Sequence, residues 1–144
     1  MENNLENTKT DLLREKIVRW FSEWAKLKPR IHFAERKVFP KKKEIWWARL
    51  GQNVGVEVNG KNSRFERPVL IVKVFNADFI LVVSISSKEK EGKYYYSFKN
   101  PSDEKNVVVL SQIKSISSKR LVRKVGEIET ADFSKIVVRL KDMI

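Results

Sequence analysis

The sequence predicts a mainly β fold with helices (α+β), namely a small antiparallel barrel that follows an amphipathic helix. Three observations predict it. Apolar residues recur every three or four positions near the amino terminus, short β-branched and aromatic segments follow without helical patterns between them, and a second helical pattern ends the chain. With 144 residues the chain is long enough for one hydrophobic core. We expect a helix and connector over residues 1–43 and a barrel domain over residues 44–144.

The first predicted element is a helix from Thr8 to about Lys28. Thr8, with Asp11 three residues later, resembles a capping box and predicts the start. Pro29 predicts the end, because the residue before a proline avoids helical backbone angles. The stretch that follows has no clean period and is interpreted as a connector. The apolar residues form one broad stripe: Leu12, Leu13, Ile17, Trp20, Phe21, Trp24 and Leu27.

Five segments rich in β-branched and aromatic residues predict strands. They are EIWWARL (44–50), RPVLIVKVF (67–75), FILVVSIS (79–86), KYYYSFK (93–99) and NVVVL (106–110). Turn-forming or charged stretches separate them, so we expect antiparallel pairing. Residues 121–128 predict a sixth strand. Apolar runs such as residues 69–72 predict strands covered on both faces, and a barrel also removes exposed sheet edges.

A second helix is predicted at the end of the chain. Thr130 is its expected N-cap residue. Helical spacing puts a set of apolar residues on one face, which we expect to close the barrel: Phe133, Ile136, Val137, Leu140 and Ile144.

The charge of the chain indicates a polyanionic partner. Thirty Lys and Arg residues against eighteen Asp and Glu residues give a net charge of +12. Residues 1–40 contain nine basic and six acidic residues, so residues 41–144 carry the larger excess. A basic body of this kind attracts nucleic acid first and anionic membranes second.

The composition also excludes several kinds of site. The chain has no cysteine, which excludes disulfides, thiolate metal sites and thiol chemistry. Its single histidine, His32, cannot make a zinc site alone, and we assign it no role. The sequence has no run of about 20 apolar residues, and its amino terminus is polar and acidic, unlike a signal peptide. We therefore expect a cytoplasmic protein with no membrane segment, no metal and no cofactor.

Arg67 stands at the mouth of a segment that must be buried. It lies between Glu66 and Pro68, directly before the apolar run of the second predicted strand. Proline lacks an amide hydrogen and suits the first residue of a strand, so Arg67 is expected where a loop meets the barrel. From there its guanidinium can reach the surface. A purely structural alternative is a salt bridge to Glu66 or Glu57.

Four segments, in order, carry a further signal. They are EIWWARLGQNVGVE (44–57), ERPVLIVKVFN (66–76), VVSISSK (82–88) and LSQIKSISSKRLVRKVGEI (110–128). Their motifs and order resemble the MazF/PemK family of toxin endoribonucleases from bacterial type II toxin–antitoxin systems. The resemblance covers nearly all of residues 44–144, and residues 1–40 lie outside it.

The resemblance implies an SH3-like barrel that forms a homodimer and cleaves single-stranded RNA (mRNA) without a metal ion. The products would carry 2′,3′-cyclic phosphate and 5′-hydroxyl ends, and a cognate antitoxin protein would neutralise the enzyme. By resemblance, Arg67 matches the family's catalytic arginine and Ser86 its catalytic threonine. Glu57 matches a loop glutamate proposed to assist catalysis. Arginine suits such chemistry because its planar fork grips two phosphate oxygens and stays charged.

The segment around Glu57 departs from the family pattern. GVEVNGKNSRFERP (55–68) replaces a shorter family loop and adds Lys61 and Arg64. Because loops between barrel strands select bases, we carry over no recognition sequence. Residues expected to bind RNA are Lys61, Arg64, Lys88, Lys119 and Arg120. The last two belong to a basic cluster with Arg123 and Lys124, for which solvation of a turn is an equal alternative.

Two other functions remain open at this stage. One is a non-catalytic RNA-binding or scaffold protein on the same barrel. The other is a topoisomerase-poisoning protein of the CcdB type, which would not need Arg67 and Ser86 together. The amino-terminal helix is also open: it could dock on its own barrel, pair with the helix of a second copy, or lie in the groove for an antitoxin. We expect docking that extends a dimer and leaves Arg67 accessible.

Overall fold

The fold is that of a computed structural model of the chain, in which residues 2–35 and 38–144 are described. The chain divides into two compact units. The first ends at Ala34 and the second begins at Glu35.

The first unit is a single helix, α1, which spans Glu2–Phe33. It is longer than predicted at both ends. Thr8 lies inside it, where its hydroxyl donates a hydrogen bond of 2.8 Å to the carbonyl of Asn4, so the predicted capping box is wrong. The helix also continues through Pro29, so the predicted end is wrong. A proline removes one backbone donor and crowds the preceding turn, but it does not end a helix when the following residues keep helical angles.

The second unit is a six-stranded sheet with a terminal helix. Its elements are β1 (Glu44–Arg49), β2 (Glu66–Asn76), β3 (Phe79–Ser86), β4 (Tyr95–Lys99), β5 (Lys105–Ser117), a 3-10 turn (Ser118–Arg120), β6 (Leu121–Glu127) and α2 (Thr130–Asp142). The strands lie in the order β4-β5-β3-β2-β1-β6 and each neighbouring pair is antiparallel. The predicted fold class and antiparallel pairing are confirmed.

Strand β5 differs most from its prediction, because it continues seven residues beyond the predicted end at Leu110. Its register with β3 shifts between the pairs Val82↔Lys114 and Ser84↔Val109. Between these pairs β3 advances by two residues, whereas β5 advances by five. The extra residues bend the strand. One half of β5 therefore pairs with β4 and the end of β3, and the other half pairs with the start of β3.

Both faces of the central strands are buried, as the apolar runs predicted. On β2, Leu70 belongs to the core beneath α2, whereas its neighbours Val69 and Ile71 belong to a second core on the opposite face. Successive side chains of a strand point to opposite faces, which explains why apolar residues follow one another without alternation. Each fully buried side chain of this size contributes about 1.5–3 kcal/mol.

Helix α2 covers the first core with Phe133, Ile136 and Leu140, as predicted. Two details of the prediction are wrong. Ile144 is fully exposed. Thr130 is not the N-cap, which is Glu129; instead the Thr130 hydroxyl accepts a hydrogen bond of 2.7 Å from Lys43 Nζ.

None of the helices described, over residues 2–35 and 38–144, is long and apolar enough to cross a membrane.

Candidate active site

Arg67 is partly buried at the start of β2, opposite Ala48 of β1. Its Nε donates a hydrogen bond of 2.7 Å to the carbonyl of Asn59. Burial lowers the pKa of the guanidinium, although an arginine stays charged at any working pH. Within residues 2–35 and 38–144, no carboxylate lies within ion-pair distance of Arg67. The expected structural alternative, a salt bridge to Glu66 or Glu57, is therefore absent there.

Glu66 has a different partner. Its side chain is buried, and its Oε2 lies 3.0 Å from Nη1 of Arg123. The guanidinium of Arg123 also lies 4.8 Å from the centre of the Trp47 ring, so the ion pair holds the indole in place. Arg123 thus neutralises the carboxylate next to Arg67 in the sequence, and no acid of the described ranges compensates the charge of Arg67.

The loop between β1 and β2 carries Glu57, whose exposed carboxylate accepts a hydrogen bond of 3.0 Å from the amide of Val54. Gln112 of β5 binds the backbone on both sides of Glu57. Its Oε1 accepts from the Val58 amide at 3.1 Å, and its Nε2 donates to the Val56 carbonyl at 3.0 Å. A residue 54 positions away in the sequence therefore holds this loop against the barrel.

Gly60 allows the same loop to fold back on itself. A Cβ at this position would lie 1.7 Å from the carbonyl oxygen of Phe65, so a larger residue does not fit. Beyond the glycine, Lys61 and Glu66 exchange two backbone hydrogen bonds of 2.7 and 3.0 Å. This bridge places Lys61 beside the start of β2, next to Arg67.

Ser86 is the last residue of β3 and is buried. Its Oγ accepts a hydrogen bond of 3.2 Å from the amide of Lys88, which leaves the hydroxyl hydrogen for another acceptor. β2 and β3 pair Val69 with Ser84. The two strands are antiparallel. Two residues back along β2 and two residues forward along β3, this register puts Ser86 across from Arg67.

Three basic residues interact at this end of the sheet. The pKa of Lys61 is lowered by burial and, secondarily, by the positive charges of Arg67 and Lys88. Lys61 therefore lies close enough to Arg67 and to Lys88 for their positive charges to repel its own. Such an arrangement favours a bound anion, because an anion removes the repulsion.

A cavity of about 220 Å³ adjoins Arg67. Sequence reasoning missed most of its lining, which comes from all six strands, the β1–β2 loop, the residue after β3 and the turn between β4 and β5. The lining residues are Ile45, Trp47, Lys61, Arg67, Pro68, Ile85, Ser87, Phe98, Asn100, Glu104, Asn106 and Val125. Ser87, rather than Ser86, faces this space. No local signal marks Asn100 or Asn106, because only the β4–β5 hairpin brings them here.

The remaining expected RNA-binding residues lie elsewhere. Arg64 is on the exposed part of the loop, where its amide donates to Asn62 Oδ1 at 2.8 Å. Arg120 donates from Nη1 to the Arg49 carbonyl at 3.0 Å, and burial lowers the pKa of its guanidinium. Lys119 precedes it in the 3-10 turn and is exposed. None of the three is among the described residues that line the cavity.

The other two residues of the basic cluster, Arg123 and Lys124, pair with acidic side chains. Lys124 Nζ lies 2.6 Å from the buried carboxylate of Glu44, which also accepts a hydrogen bond from Trp46 Nε1. Lys124 and Arg123 therefore compensate two buried acids. In the part of the chain that the structure describes, no group of three or more His, Asp or Glu side chains could hold a metal ion.

The comparisons with known proteins concern the family and the fold of the chain. A family profile described as PemK-like, MazF-like toxin of type II toxin–antitoxin system matches residues 41–144. No curated protein sequence matches the chain.

Solved structures share the fold at low sequence identity. MazF from Deinococcus radiodurans is 16% identical, with a TM-score of 0.63 over 74% of this chain and 97% of that one. An endoribonuclease from Mycobacterial species, solved in complex with its cognate antitoxin, is 18% identical, with a TM-score of 0.56 over 72% of this chain and 92% of that one. A MazE–MazF structure from Deinococcus radiodurans is 13% identical, with a TM-score of 0.57 over 74% and 96% of the two chains.

Proposed function

Because this chain belongs to the PemK-like, MazF-like toxins of type II toxin–antitoxin systems, we propose that it is an endoribonuclease that cleaves single-stranded RNA. We further propose that it acts as a homodimer in the cytoplasm, needs no metal ion, and is neutralised by a cognate antitoxin protein. An endoribonuclease of similar fold has been solved with its cognate antitoxin, which supports the last point.

One observation carries the proposal: Arg67 is a partly buried cation with no carboxylate partner among the described residues, and it lies close to Lys61, whose pKa is lowered by burial and then by the charges of Arg67 and Lys88. An uncompensated cation in a partly desolvated place is costly unless an anion binds there. RNA supplies such an anion at every phosphate. Because Nε is engaged with Asn59, the terminal nitrogens of Arg67 are the donors left to grip two phosphate oxygens.

In the proposed reaction the ribose 2′-oxygen forms a bond to phosphorus while the bond from phosphorus to the 5′-oxygen breaks. The 2′-hydroxyl loses its proton to a base, and the departing 5′-oxygen gains a proton. The products are a 2′,3′-cyclic phosphate and a 5′-hydroxyl. Negative charge grows on the phosphate oxygens in the transition state, so donors fixed in advance accelerate the reaction.

We assign the roles as follows. Arg67 neutralises the developing charge, and Ser86 donates its hydroxyl hydrogen to a phosphate oxygen. Glu57 assists as the base that takes the 2′-hydroxyl proton, on a loop that Gln112 holds. Lys61 and Lys88 attract the RNA backbone and need not take part in bond breaking.

The proposal is tested by incubating the full chain with end-labelled single-stranded RNA in EDTA. We expect cleavage, with 5′ ends that polynucleotide kinase labels without prior phosphatase treatment and 3′ ends that acid opens from cyclic phosphate to monophosphate. Arg67→Ala should lower the rate by about a hundred- to thousandfold, as for loss of one donor to a developing oxyanion. Arg64→Ala, in the same loop region but outside the cavity, should reduce RNA affinity by a few fold at most.

Folding of both variants is compared by circular dichroism. Undiminished cleavage by a folded Arg67→Ala protein would remove the catalytic role of Arg67. If the wild-type chain binds RNA without cutting it, the protein is a non-catalytic binding module. Loss of gyrase activity on supercoiled DNA in a parallel assay, without RNA cleavage, would indicate the topoisomerase-poisoning alternative.

A further inference from the structure

We propose that the cavity beside Arg67 receives a nucleobase of the bound RNA next to the scissile phosphate, and that Asn106 reads the edge of this base. The inference rests on the proposed function in one respect, namely that Arg67 binds a phosphate of RNA. It adds the place where the neighbouring base goes and the residue that discriminates between bases.

The size and walls of the cavity suit a base. Its volume is about 220 Å³, and two of its walls are aromatic, from Trp47 and Phe98. Ile45 and Ile85 add apolar surface. Bases unstacked from single strands gain affinity by stacking on aromatic side chains, and every base has a face that can stack. The space is apolar enough to hold a base and is too small for a folded segment of protein.

The position of Trp47 is fixed, which a stacking wall requires. Arg123 lies over its ring at 4.8 Å and is itself held by the buried carboxylate of Glu66. A ring has two faces, and the indole also lines the cavity. The ion pair between Glu66 and Arg123 occupies the carboxylate next to Arg67 in the sequence. The same ion pair therefore also holds Trp47, an aromatic wall of the cavity.

A polar group lies beside these walls, because β4 and β5 pair Phe98 with Asn106. Asn106 Nδ2 donates to the carbonyl of Glu104 at 3.2 Å, which fixes the amide and leaves its Oδ1 and a second hydrogen for a ligand. Asn100 Oδ1 accepts from the amides of Ser102 and Glu104 at 2.9 and 3.0 Å, so the turn that carries these groups is ordered. A side-chain amide offers a donor and an acceptor together, as base edges do.

Strand β6 closes the cavity against this turn. A Cβ on Gly126 would lie 2.6 Å from Cγ of Pro101, so the turn packs directly on the strand. Gly126 has φ of +159°, which a larger residue seldom adopts. The β4–β5 turn is thus held near β1 and β6, and Asn106 is kept in the same cavity as Arg67.

The proposed sites for the phosphate and for the base lie in one cavity. Arg67 and Lys61 line the same cavity as Asn106 and the aromatic walls. A single nucleotide can therefore place its phosphate against the cations and the face of its base against an aromatic wall, with the edge of the base at the Asn106 amide. Phosphate contacts position a nucleic acid, whereas contacts with base edges select the sequence.

The test measures binding of mononucleotides to the full chain by isothermal titration calorimetry. The probes are the 3′-monophosphates of adenosine, cytidine, guanosine and uridine, with ribose 5-phosphate and inorganic phosphate as ligands that lack a base. We expect the preferred nucleotide to bind about five- to a hundredfold more tightly than ribose 5-phosphate, the range that stacking of one base supplies. The four nucleotides should also differ from one another.

Three variants separate the contributions. Asn106→Leu should compress or reorder the ranking of the four bases and leave ribose 5-phosphate binding unchanged. Arg67→Ala should weaken every ligand, with or without a base. Asn3→Leu, the same substitution on the exposed start of α1, is the matched control and should change neither. Asn106→Asp is the substitute variant if Asn106→Leu does not fold. It keeps the shape of the side chain and an acceptor oxygen but removes the amide donor.

The outcomes are distinguishable from those of the nuclease assay. If nucleotides bind no more tightly than ribose 5-phosphate, the base site is refuted even when RNA is cleaved. An unchanged base ranking in both folded Asn106 variants would refute the role of this residue. If nucleotides bind in a base-dependent manner but RNA is not cut, the base site stands and the nuclease proposal fails.

Discussion

Lys61 and Arg67 show that single residues at this site work against the stability of the fold, because the fold lowers the pKa of both. The pKa of Lys61 is lowered by burial and by the two neighbouring cations, so the fold disfavours the charged form of this lysine. Residues that bind a ligand commonly destabilise the free protein in this way.

We predict that Lys61→Met raises the midpoint of thermal unfolding and weakens RNA binding. A group whose pKa is lowered by folding destabilises the fold at pH values below that pKa, and the penalty fades as the pH rises through it. The difference in midpoint between wild type and variant should therefore shrink at alkaline pH. Differential scanning calorimetry at several pH values and fluorescence anisotropy with labelled RNA measure both effects.

Lys135→Met, on the exposed face of α2, is the control and should leave the midpoint nearly unchanged. A lower midpoint for Lys61→Met than for wild type would contradict the prediction.

The pKa of Tyr96 is also altered by the fold. Burial, followed by its hydrogen bond of 2.7 Å to Asp132, raises the pKa of Tyr96 to about 12, although the charge of Arg139 acts in the other direction. Folding therefore favours the neutral phenol. This contribution to stability is complete below the ordinary tyrosine pKa and is lost as the pH rises through the raised value.

We predict that alkaline unfolding between about pH 10 and pH 12 depends on this tyrosine. Tyr96→Phe should lower stability near neutral pH and flatten the fall of stability across that range. Urea unfolding at stepped pH measures the change, and absorbance at the phenolate band counts the tyrosines that titrate late. Tyr94→Phe, whose side chain is exposed, is the control. Equal pH dependence in the two variants would contradict the prediction.

Among the elements, the loop between β1 and β2 is held by contacts that are distant in sequence. Gln112 binds it on both sides of Glu57, and Asn59 accepts the hydrogen bond from Arg67. Gly60 lets the chain pass close to Phe65. The position of the catalytic arginine proposed above therefore depends on the conformation of this loop.

We predict that Gly60→Ala lowers RNA cleavage by at least tenfold, because the new Cβ meets a backbone oxygen and the loop must move. The control lies in the same loop: a Cβ on Gly55 would meet nothing within 4 Å, although its φ of +56° adds mild strain. Gly55→Ala should retain most of the activity. Single-turnover cleavage rates, with folding checked by circular dichroism, compare the two; equal losses would show that loop position is not limiting.

Helix α1 leaves many apolar side chains exposed, among them Leu12 and Leu13 at 61% and 54%. Exposed apolar surface of this extent usually marks an interaction site. We propose, as the sequence led us to expect, that the helix extends a dimer of this chain.

The prediction is that Leu13→Glu lowers the mass of the full chain in solution toward that of a monomer, as measured by light scattering after gel filtration. A buried leucine contributes about 1.5–3 kcal/mol, so a charge in its place weakens association. Asn7→Glu makes the same change in charge on the same helix and should leave the mass unchanged. A several-fold rise in RNase activity for Leu13→Glu, with unchanged mass, would instead favour autoinhibition by the helix.

At the scale of the whole molecule, the net charge of +12 bears on the proposed binding of RNA. A protein that neutralises phosphates of a single strand releases counterions, and each phosphate adds about −0.7 to the slope of log affinity against log salt. Because Lys124 and Arg123 pair with buried acids, only part of the positive charge is free to contact RNA.

We predict a steep fall of RNA affinity with salt, and a slope that becomes shallower by about 0.7 in Lys61→Met if this lysine contacts one phosphate. Fluorescence anisotropy of an RNA that carries 2′-O-methyl groups, and so cannot be cleaved, measures the slope for both proteins. A slope near zero for the wild-type chain would mean that its charge takes no part in RNA binding.

The sequence by itself determined the features that depend on local pattern. Six strands and two helices could be predicted because burial imposes a period on neighbouring residues, and the family could be recognised because its motifs are contiguous. Arg67 was singled out because a charge directly before a buried run is a local anomaly. The exact ends of α1 and the second half of β5 were missed, since a proline near a helix end and a bent strand depend on contacts made elsewhere.

Tertiary structure alone decided what surrounds Arg67. Glu66, its neighbour in the sequence, pairs with Arg123, whereas Asn59, eight residues away, accepts its hydrogen bond. Asn106 reaches the same cavity only through the pairing of β4 with β5 and of β5 with β3. Strand pairing joins residues that are far apart in the chain, and no local pattern encodes which of them will meet. The physical reason is that a barrel closes through register and bulges, which place side chains by long-range hydrogen bonds rather than by the order of the sequence.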